Sequence, residues 1–427
     1  MRNAELRNGR CETVDNQTNP LKQKINSEFR IPNSELNRTW AEVSLDALAH
    51  NLLEVRRLIR PSRLMAVVKA DAYGHGAVAV ARLFREYRVD YLAVASVDEA
   101  MELRRAGIPT PILIQGFTPP ELTPLLIEHN LTQVIFDSDM AGHMSYAAAG
   151  CSRPLRVHLK VDTGMSRLGL VWRGEETLTE LLRLCRLPHL EYEGLSTHFA
   201  TSETVGDTFT QKQLADFTFV RDALGRAGIQ FPICHCANSG AVIQYKGSHC
   251  DMTRAGLILY GLIPGTDLPF DGQPAMTLYS VISQVKDIEA GATISYGRTF
   301  TAKGPMRIAV VAIGYADGYS RALSNKAHVL VGGYRAPIVG VVCMDMLVVD
   351  VTGIPEAHAG DRVILFGSGQ GDAISAAELA GLAGTIPYEI VCAVGRRVPR
   401  VYLRGGREVG RTNYLLGDEE YVTRWPV

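Results

Sequence analysis

The sequence predicts an α/β protein in which an N-terminal (β/α)8 TIM-like barrel is followed by a C-terminal, mostly β domain. Between residue 64 and about residue 262, eight short apolar runs alternate with helical patterns, which is the count and size of such a barrel. After about residue 270 the runs are rich in β-branched residues and mostly lack helices between them. A length of 427 residues also favours two hydrophobic cores over one. The alternative fold is a doubly wound open sheet, because periodicity alone does not show that a sheet closes.

The predicted division of the chain follows these changes in composition. Residues 1–38 are polar, rich in Asn, Arg and Glu, and without periodicity, so we predict a disordered N-terminal extension. Residues 39–270 are predicted to form the barrel, and residues 271–427 the C-terminal β domain. The segment 39–45 alternates like a short strand and is expected to pair with the C-terminal domain. Ser44 can cap the helix that follows, because its side chain can accept a hydrogen bond from the first turn.

Mainly apolar runs mark the eight predicted barrel strands, which are 64–69, 91–96, 111–116, 132–136, 155–162, 190–197, 232–236 and 257–260. Helical patterns lie between most of them. In the C-terminal domain, Gly332-Gly333 is a candidate two-residue hairpin turn. Only residues 374–383 have a helical pattern there.

Composition and charge argue against several classes of function. The net charge of −1 argues against nucleic acid or an anionic membrane as the main partner. No apolar run approaches the roughly 20 residues that span a bilayer, and the polar N-terminus lacks the apolar segment of a secretion signal. The eight cysteines include no CxxC pair, which favours reduced thiols in a cytoplasmic protein. Cys234-His235-Cys236 lacks a second ligand cluster, so no metal site is predicted.

The stretch from Val67 to Gly76 contains the strongest chemical signal in the chain. An apolar run leads into Lys69, and a helix start punctuated by glycine, Gly74-His75-Gly76, follows. At the carboxyl end of a buried strand an ammonium group loses hydration, which lowers the pKa of the lysine and frees its amine as a nucleophile. A lysine in such a place can instead extend past the strand edge to solvent. The residues at the other strand ends favour catalysis.

Ionisable and polar residues stand at the carboxyl ends of several predicted strands, where barrel enzymes carry their active sites. They are Lys69, Lys160, Asp162, Arg167, His198, Asn238, Ser239 and, at the following turn, Arg254. Backbone amides at Gly256 and the hydroxyl groups of Ser239 and Tyr73 could bind a phosphate. A reactive lysine beside a phosphate site is the combination that pyridoxal phosphate requires.

Seven segments carry a resemblance to a known family. They are VVKADAYGHG (67–76), KVDTGMSRLG (160–169), THFA (197–200), RAGLILYG (254–261), ISYGRTF (294–300), IGYADGY (313–319) and VCMDM (342–346). Together they resemble the alanine racemase family, over residues 39–403. The resemblance implies an isomerase that interconverts L-alanine and D-alanine with pyridoxal 5′-phosphate and two bases, and that supplies D-alanine for peptidoglycan. It also implies a homodimer whose active sites are built from both subunits.

The resemblance also implies roles for individual residues. Lys69 would hold the cofactor through its ε-amino group and act as one base, and Tyr296 of the partner subunit would be the other. The further cofactor-binding residues would be Tyr73, His198, Asn238, Ser239, Arg254, Gly256, Leu257 and Tyr388. Among these, Arg254 would face the pyridine nitrogen. The remaining implied roles concern the substrate: Arg167 and the backbone of Met344 would bind its carboxylate, Tyr315 would line its entry, and Lys160, often carbamylated in this family, would orient Arg167.

Three other functions stay open at this point. A basic-amino-acid decarboxylase shares the barrel and the lysine, but the context Ser295-Tyr296-Gly297 and the IGYADGY segment favour the racemase. A second alternative is a single-barrel protein that binds the cofactor without catalysis. The C-terminal domain argues against it, because the resemblance implies that this domain supplies the second base. A broad-specificity amino-acid racemase is the closest rival. The lack of a secretion signal argues against it, because such enzymes are usually exported.

Overall fold

The computed structural model describes residues 38–264, 268–369 and 371–421. The predicted extension over residues 1–38 therefore lies outside the described residues, except for Arg38. Two large sheets organise the described chain, a parallel sheet of nine strands and a mixed sheet of eleven strands. The parallel sheet is the barrel and the mixed sheet dominates the C-terminal half, so the predicted fold class is confirmed.

The strands are, in chain order, β1 (Thr39–Ser44), β2 (Arg63–Val67), β3 (Tyr91–Val94), β4 (Ile112–Ile114), β5 (Leu131–Ile135), β6 (Leu155–Asp162), β7 (Leu170–Val171), β8 (Leu190–Ser196), β9 (Ile233–His235), β10 (Met252–Ala255), β11 (Met276–Ile288), β12 (Thr293–Ile294), β13 (Phe300–Thr301), β14 (Met306–Val311), β15 (His328–Val331), β16 (Tyr334–Pro337), β17 (Leu347–Asp350), β18 (Arg362–Ser368), β19 (Ala373–Ile374), β20 (Arg400–Arg404), β21 (Arg407–Asn413) and β22 (Asp418–Tyr421). The helices are α1 (Leu45–Ile59), α2 (Ala77–Glu86), α3 (Val97–Arg105), α4 (Thr123–Glu128), α5 (Ser138–Ala148), α6 (Glu175–Leu184), α7 (Thr208–Arg226), α8 (Ser239–Gln244), α9 (Ala376–Ala383) and α10 (Pro387–Cys392), together with a short helical turn at Lys69–Tyr73.

Eight strands form the barrel wall in the order β10-β2-β3-β4-β5-β6-β8-β9, and every neighbouring pair is parallel. Backbone bonds join the regions of the two end strands, β9 and β10. The N–H of Asp251 donates to the carbonyl of Cys234 at 3.1 Å, and the N–H of Arg254 donates to the carbonyl of Ala237 at 3.1 Å. The sheet therefore nearly closes on itself, and the open-sheet alternative is wrong. All eight carboxyl ends meet at one mouth because the strands run in the same direction.

The first strand and helix show how the sequence builds this wall. In β2 the residues from Leu64 to Val67 are buried, as expected for a strand covered on both faces. Ser44 accepts a hydrogen bond from the N–H of Ala47 (3.1 Å) at the start of α1, so the predicted cap is confirmed. The apolar stripe of α1 is buried against the barrel; its members are Leu45, Leu48, Leu52, Val55 and Ile59.

The eighth barrel strand lies earlier in the chain than predicted. It is β10, Met252–Ala255, whereas the predicted segment 257–260 forms a 3₁₀ helix. Leu257 to Tyr260 are fully buried on all sides, and a short apolar run does not by itself distinguish a strand from a buried helical turn. The hydroxyl of Tyr260 donates to the carbonyl of Val67 at 2.8 Å, which joins this turn to the end of β2.

The central strand of the mixed sheet is β1, which precedes the barrel in the chain. β1 pairs antiparallel with β11 and parallel with β20. β15 and β16 form an antiparallel hairpin around Gly332 and Gly333, whose φ angles of 59° and 89° suit a tight turn, so this predicted hairpin is confirmed. The predicted helical segment 374–383 corresponds to α9. A second helix, α10, was not predicted, because it is short and begins with proline.

His75 is a buried histidine at the end of the Val67–Gly76 stretch. It is 1% exposed, and its Nδ1 lies 2.9 Å from the carbonyl of Tyr73 and 3.1 Å from that of Ala72. Carbonyl groups only accept, so Nδ1 carries the proton of the neutral ring. Burial lowers the pKa of His75 from 6.5 to about 4.

This pKa predicts that acid destabilises the fold. Between pH 6.5 and about pH 4 the unfolded chain binds a proton at His75 while the folded chain does not, so the free energy of unfolding falls as the pH falls. We expect His75 to contribute roughly 3 kcal/mol across this window. Urea denaturation at a series of pH values measures the slope. His75→Gln should make it shallower, and the exposed His143→Gln should leave it unchanged; equal slopes in all three proteins would contradict this prediction.

No helix in the described parts of the chain combines the length and the apolar character needed to cross a bilayer.

Candidate active site

A cavity of about 350 Å³ lies at the carboxyl ends of the barrel strands. Ten of the predicted site residues line it, namely Lys69, Tyr73, Lys160, Arg167, His198, Asn238, Ser239, Arg254, Gly256 and Tyr388. The other lining residues are Val67, Ala95, Gln115, Gly116, Val134, Leu168, Ser196, Thr197 and His235. The cavity is thus lined by residues from all eight barrel strands, or the loops after them, and by Tyr388 of α10.

Lys69 follows β2 directly and is half-buried in the cavity. Burial lowers the pKa of its amine, and the positive charge of Arg167 lowers it further. A lowered pKa increases the fraction of neutral amine near neutral pH, and the neutral amine is the form that can attack a carbonyl carbon or accept a proton. Lys69 therefore has the environment of a reactive lysine.

The backbone after Lys69 turns in an unusual direction. Four consecutive residues other than glycine, Ala70 to Tyr73, have φ between 52° and 54°, which is left-handed helical geometry. Such a conformation costs about 1–2 kcal/mol per residue, and runs of it are rare. Gly74 and Gly76 follow, also with positive φ. Their hydrogens leave room for close neighbours, because a Cβ would lie 2.3 Å from the carbonyl oxygen of Val391 at Gly74 and 1.9 Å from the hydroxyl of Tyr402 at Gly76.

A small polar cradle stands at another side of the cavity. The N–H of Gly256 donates to Oγ of Ser239 at 3.0 Å. A Cβ on Gly256 would lie 2.7 Å from the hydroxyl of Tyr73 and 3.7 Å from Oγ of Ser239, so glycine keeps this space open. The ring of Tyr388 lies 6.0 Å from that of Tyr73. Burial raises the pKa of Tyr73, so its hydroxyl keeps its proton and can donate it in a hydrogen bond. Hydroxyl groups and a backbone amide around one opening suit a phosphate group.

The cradle depends on two neighbouring segments. Asn238 caps α8, since its side-chain oxygen accepts from the N–H of Ala241 at 3.2 Å, and Ser239 is the first residue of that helix. Leu257 follows Gly256, but its side chain is fully buried and does not line the cavity. Only the backbone of Leu257 is therefore available to a ligand.

A buried chain of hydrogen bonds runs from Arg254 through two histidines, and a third histidine is bonded to Arg254 on a separate branch. Arg254 donates to Nδ1 of His235 at 2.6 Å and to Nδ1 of His198 at 3.2 Å. Because arginine only donates, the proton of His235 must be on Nε2, which lies 2.8 Å from Nδ1 of His158. The proton of His158 is then on its own Nε2, 3.2 Å from Glu193. The chain therefore has one direction, from Arg254 as donor to the Glu193 carboxylate as final acceptor.

The charge of Arg254 controls the titration of its neighbours. Burial and the nearby guanidinium hold the pKa values of His198 and His235 well below their usual range, so both rings are neutral. Burial lowers the pKa of Arg254 itself to about 10, which still leaves it charged at neutral pH. Burial, Arg254 and Arg167 lower the pKa of Lys160 to about 8. The cavity is therefore a positive site in which the amine of Lys160 is partly neutral near pH 8.

Asp162 shapes the loop that carries Arg167. Its Oδ1 accepts hydrogen bonds from the N–H groups of Gly164 (2.9 Å) and Ser166 (3.1 Å). This places Asp162 as an organiser of the loop at the end of β6, and Arg167 reaches the cavity from that loop.

Besides Leu257, three predicted site residues do not line the cavity of their own chain. Tyr296, Met344 and Tyr315 belong to the C-terminal domain and are 74%, 52% and 43% exposed. Met344 and Tyr315 lie on adjoining loops, because the N–H of Tyr315 donates to the carbonyl of Cys343 at 3.0 Å. Tyr296 begins a 3₁₀ turn after Ser295, whose Oγ donates to the carbonyl of Val341 at 2.6 Å. The backbone that carries these three side chains is thus ordered, while the side chains themselves are exposed on the surface of the chain.

His235 is not among the predicted site residues; in the sequence it stands only in the weak metal pattern Cys234-His235-Cys236. The structure instead places it in the cavity wall, bonded to Arg254. Its position at the carboxyl end of a predicted strand is the signal that identifies it. Among the described residues, no group of three or more His, Cys, Asp or Glu side chains could hold a metal ion.

Comparisons with known proteins agree across the chain. Residues 43–264 match the family model described as "Alanine racemase, N-terminal domain", and residues 275–402 match "Alanine racemase, C-terminal domain". The curated alanine racemase of Desulforamulus reducens is 46% identical over 368 residues, covering 85% of this chain and 98% of that protein. The alanine racemase of Desulfovibrio desulfuricans is 43% identical over 367 residues, with the same shares covered.

Solved structures give the same result. An alanine racemase structure from Clostridium difficile 630 has a TM-score of 0.85 at 40% identity, covering 89% of this chain and 99% of that one. The alanine racemase of Bacillus anthracis with bound L-Ala-P has a TM-score of 0.84 at 37% identity, covering 89% and 98%.

Proposed function

The chain belongs to the alanine racemase family, and from this membership we propose which of its residues carry out the reaction. It is an isomerase of a family that depends on pyridoxal 5′-phosphate, and it interconverts L-alanine and D-alanine. In this family the D-alanine supplies the peptidoglycan of the bacterial cell wall. The observation that carries the assignment of the site is the convergence of Lys69, the cradle at Gly256 and the Arg254 chain on one cavity.

The cavity fits pyridoxal phosphate on the geometry of its own residues. The cradle of Gly256, Ser239 and Tyr73 would hold the phosphate, with Tyr388 beside it, and glycine leaves the opening that a Cβ would fill. The amine of Lys69 would attach to the cofactor. Arg254 would donate a hydrogen bond to the ring nitrogen. Because Arg254 keeps its proton and its charge at neutral pH, it would not protonate that nitrogen.

Racemisation needs a proton removed from one face of the α-carbon and another returned to the opposite face. When bound, pyridoxal phosphate supplies an electron sink that stabilises negative charge at this carbon. Lys69, with its lowered pKa, is the base that we assign to one face. A hydrogen bond from Arg254 to the ring nitrogen would weaken this electron sink, which would disfavour transamination. His198, bonded to Arg254, would stand beside the second base.

The second base would come from another copy of the chain. Tyr296, Met344 and Tyr315 are exposed, and the neighbouring Met346 and Ile386 are 49% and 57% exposed. We propose a homodimer in which this surface covers the barrel mouth of the partner, with Tyr296 as the base for the opposite face of the α-carbon. Residues 39–270, together with Tyr388, would then supply the cofactor site, and residues 271–427 of the partner the second base. A cavity without its partner subunit would contain Lys69 but not the second base.

Substrate binding would use the positive side of the cavity. Arg167 would bind the carboxylate of alanine together with the backbone of Met344 of the partner subunit, and Tyr315 would line the entry. With a pKa of about 8, Lys160 has enough neutral amine to add carbon dioxide, and the resulting carbamate would orient Arg167.

The direct test is the interconversion of alanine by the purified full-length chain with added pyridoxal phosphate. Chiral chromatography should show D-alanine from L-alanine and the reverse, with an end point of equal amounts. Serine and lysine, offered as rival substrates, should racemise much more slowly. Efficient racemisation of lysine would favour a broad-specificity enzyme. Release of carbon dioxide from lysine, ornithine or diaminopimelate, without racemisation of alanine, would instead show a decarboxylase.

A further inference from the structure

The left-handed turn after Lys69 is held mainly by groups outside it. Inside the turn, the N–H of Ala72 donates to the carbonyl of Val68 at 2.9 Å, and the N–H of Gly74 donates to that of Ala70 at 3.0 Å. These two bonds also exist in ordinary helical turns, so they do not explain why this one is left-handed. The explanation must lie in the contacts made by its remaining polar groups.

One of these contacts comes from the barrel. Glu99, in α3, accepts the N–H of Ala70 at Oε1 (2.7 Å) and the N–H of Ala95 at Oε2 (2.7 Å). The carboxylate of Glu99 therefore ties the first residue of the turn to the end of β3. This bond restrains only the side of the turn next to Lys69.

The other contacts come from the last strands of the C-terminal domain. Asp71, the second residue after Lys69, accepts the N–H of Ala77 at Oδ1 (2.8 Å) and the hydroxyl of Tyr414 at Oδ2 (2.6 Å). Arg400 donates from Nε to the carbonyl of Gly74 at 2.9 Å, and its guanidinium lies 3.8 Å from Oδ2 of Asp71. Asp71 within the turn and Gly74 at its end are thus both held by residues of the C-terminal domain, Arg400 and Tyr414.

Arg400 and Tyr414 are themselves held in place by further contacts. Arg400 is 1% exposed, and its other N–H groups donate to the carbonyls of Gly395 (2.6 Å), Val394 (2.6 Å) and Val398. The ring of Tyr414 lies 5.5 Å from the guanidinium carbon of Arg400, which adds a cation–π contact. Arg400 and Tyr414 can therefore act as a fixed support for the turn.

We propose that Tyr414 and Arg400 are positioning residues for Lys69, acting through Asp71 and the carbonyl of Gly74. By holding the left-handed turn they fix where Lys69, the residue immediately before it, presents its amine to the cavity. This inference rests on the proposed role of Lys69. Neither residue lines the cavity, so their effect is transmitted through the backbone of the turn.

The attachment of Lys69 to pyridoxal phosphate reports on this placement directly. In that reaction the neutral amine nitrogen bonds to the aldehyde carbon, and the aldehyde oxygen leaves as water with the two amine protons. Pyridoxine 5′-phosphate has an alcohol in place of the aldehyde, so it occupies the phosphate cradle without reacting with Lys69. The two compounds separate the placement of the lysine from the integrity of the cradle.

The test uses the full-length chain freed of cofactor with hydroxylamine and dialysed. In Tyr414→Phe, which loses only the hydroxyl bonded to Asp71, stopped-flow absorbance should show attachment of pyridoxal phosphate slowed about tenfold, the effect of losing one hydrogen bond to a charged group. The dissociation constant of pyridoxine 5′-phosphate should stay unchanged. Asp71→Asn, which keeps polar partners for Tyr414 and Ala77, should retain most of the attachment rate that Asp71→Ala loses.

A matched control is Tyr192→Phe, which removes a phenol hydrogen bond to the carbonyl of Leu184 near the amino end of β8, opposite the mouth. It should change neither measurement. Attachment at the native rate in Tyr414→Phe would overturn the proposal, and so would equal weakening of both compounds, because the effect would then lie in the cradle. A native chain that never attaches pyridoxal phosphate at Lys69 would overturn the assignment of Lys69 itself, and with it the proposed function.

Discussion

Lys69→Ala is expected to lower the rate of alanine racemisation by roughly four orders of magnitude or more, because the variant loses both a base and the amine that holds the cofactor. The amine is half-buried, its pKa is lowered by burial and by Arg167, and it shares the cavity with the phosphate cradle. Coupled assay of D-alanine formation measures the loss. Borohydride reduction of the native protein, followed by peptide mass spectrometry, should find the cofactor on Lys69.

The control for this variant is Lys246→Ala. Lys246 is an exposed barrel lysine after α8, so its removal should leave activity and cofactor binding unchanged. If Lys69→Ala kept near-native racemisation, or if the reduced cofactor were found on Lys160, the assignment of the reactive lysine would be wrong.

Tyr296→Phe is expected to slow racemisation by about 10²–10⁴-fold, the range for the loss of a general acid–base group. The mechanism predicts a more specific result in deuterated water. Lys69 would still exchange the α-proton of one enantiomer with solvent, while exchange from the other enantiomer would be lost along with racemisation. NMR of each enantiomer measures the exchange. Tyr334→Phe, at another exposed tyrosine of the same domain, is the matched control and should behave like the native protein.

Sharing of the site between subunits can be tested with two inactive proteins. When Lys69→Ala and Tyr296→Phe chains are mixed and allowed to exchange, roughly a quarter of native activity should return, because about half of the dimers are mixed and each mixed dimer has one complete site. Activity that stays at the level of the separate variants after confirmed exchange would show that both bases come from one chain.

The barrel was accessible to sequence reasoning because its strands are short apolar runs at regular spacing. The misplaced eighth strand shows where this reasoning fails. Leu257 to Tyr260 are more apolar than β10, so composition favours the wrong segment. The true strand contains two buried polar residues, Thr253 and Arg254, and the buried hydrogen bonds of Arg254 cannot be inferred from hydropathy.

The site was predicted in its composition but not in its geometry. Gly74 and Gly76 indicate special backbone around Lys69, but of Ala70, Asp71 and Ala72 only Asp71 is of a type that is enriched at positive φ. That conformation depends on Arg400 and Tyr414, more than 300 residues away. The tautomers of the histidine chain likewise depend on which nitrogen faces Arg254, a property of the folded barrel and not of the local sequence.

The position of β1 has a consequence for the order in which the protein assembles during synthesis. Thr39–Ser44 leaves the ribosome before any barrel strand, yet its partners are Leu278 opposite Ala41 on one side and Arg400 on the other. The barrel can therefore close while both edges of β1 are still unpaired. Unpaired strand edges can associate with other chains. A fragment that begins at residue 271 would lack its central strand. Nascent chains of this protein thus have an interval of exposure to chaperones that ends only when translation reaches β20.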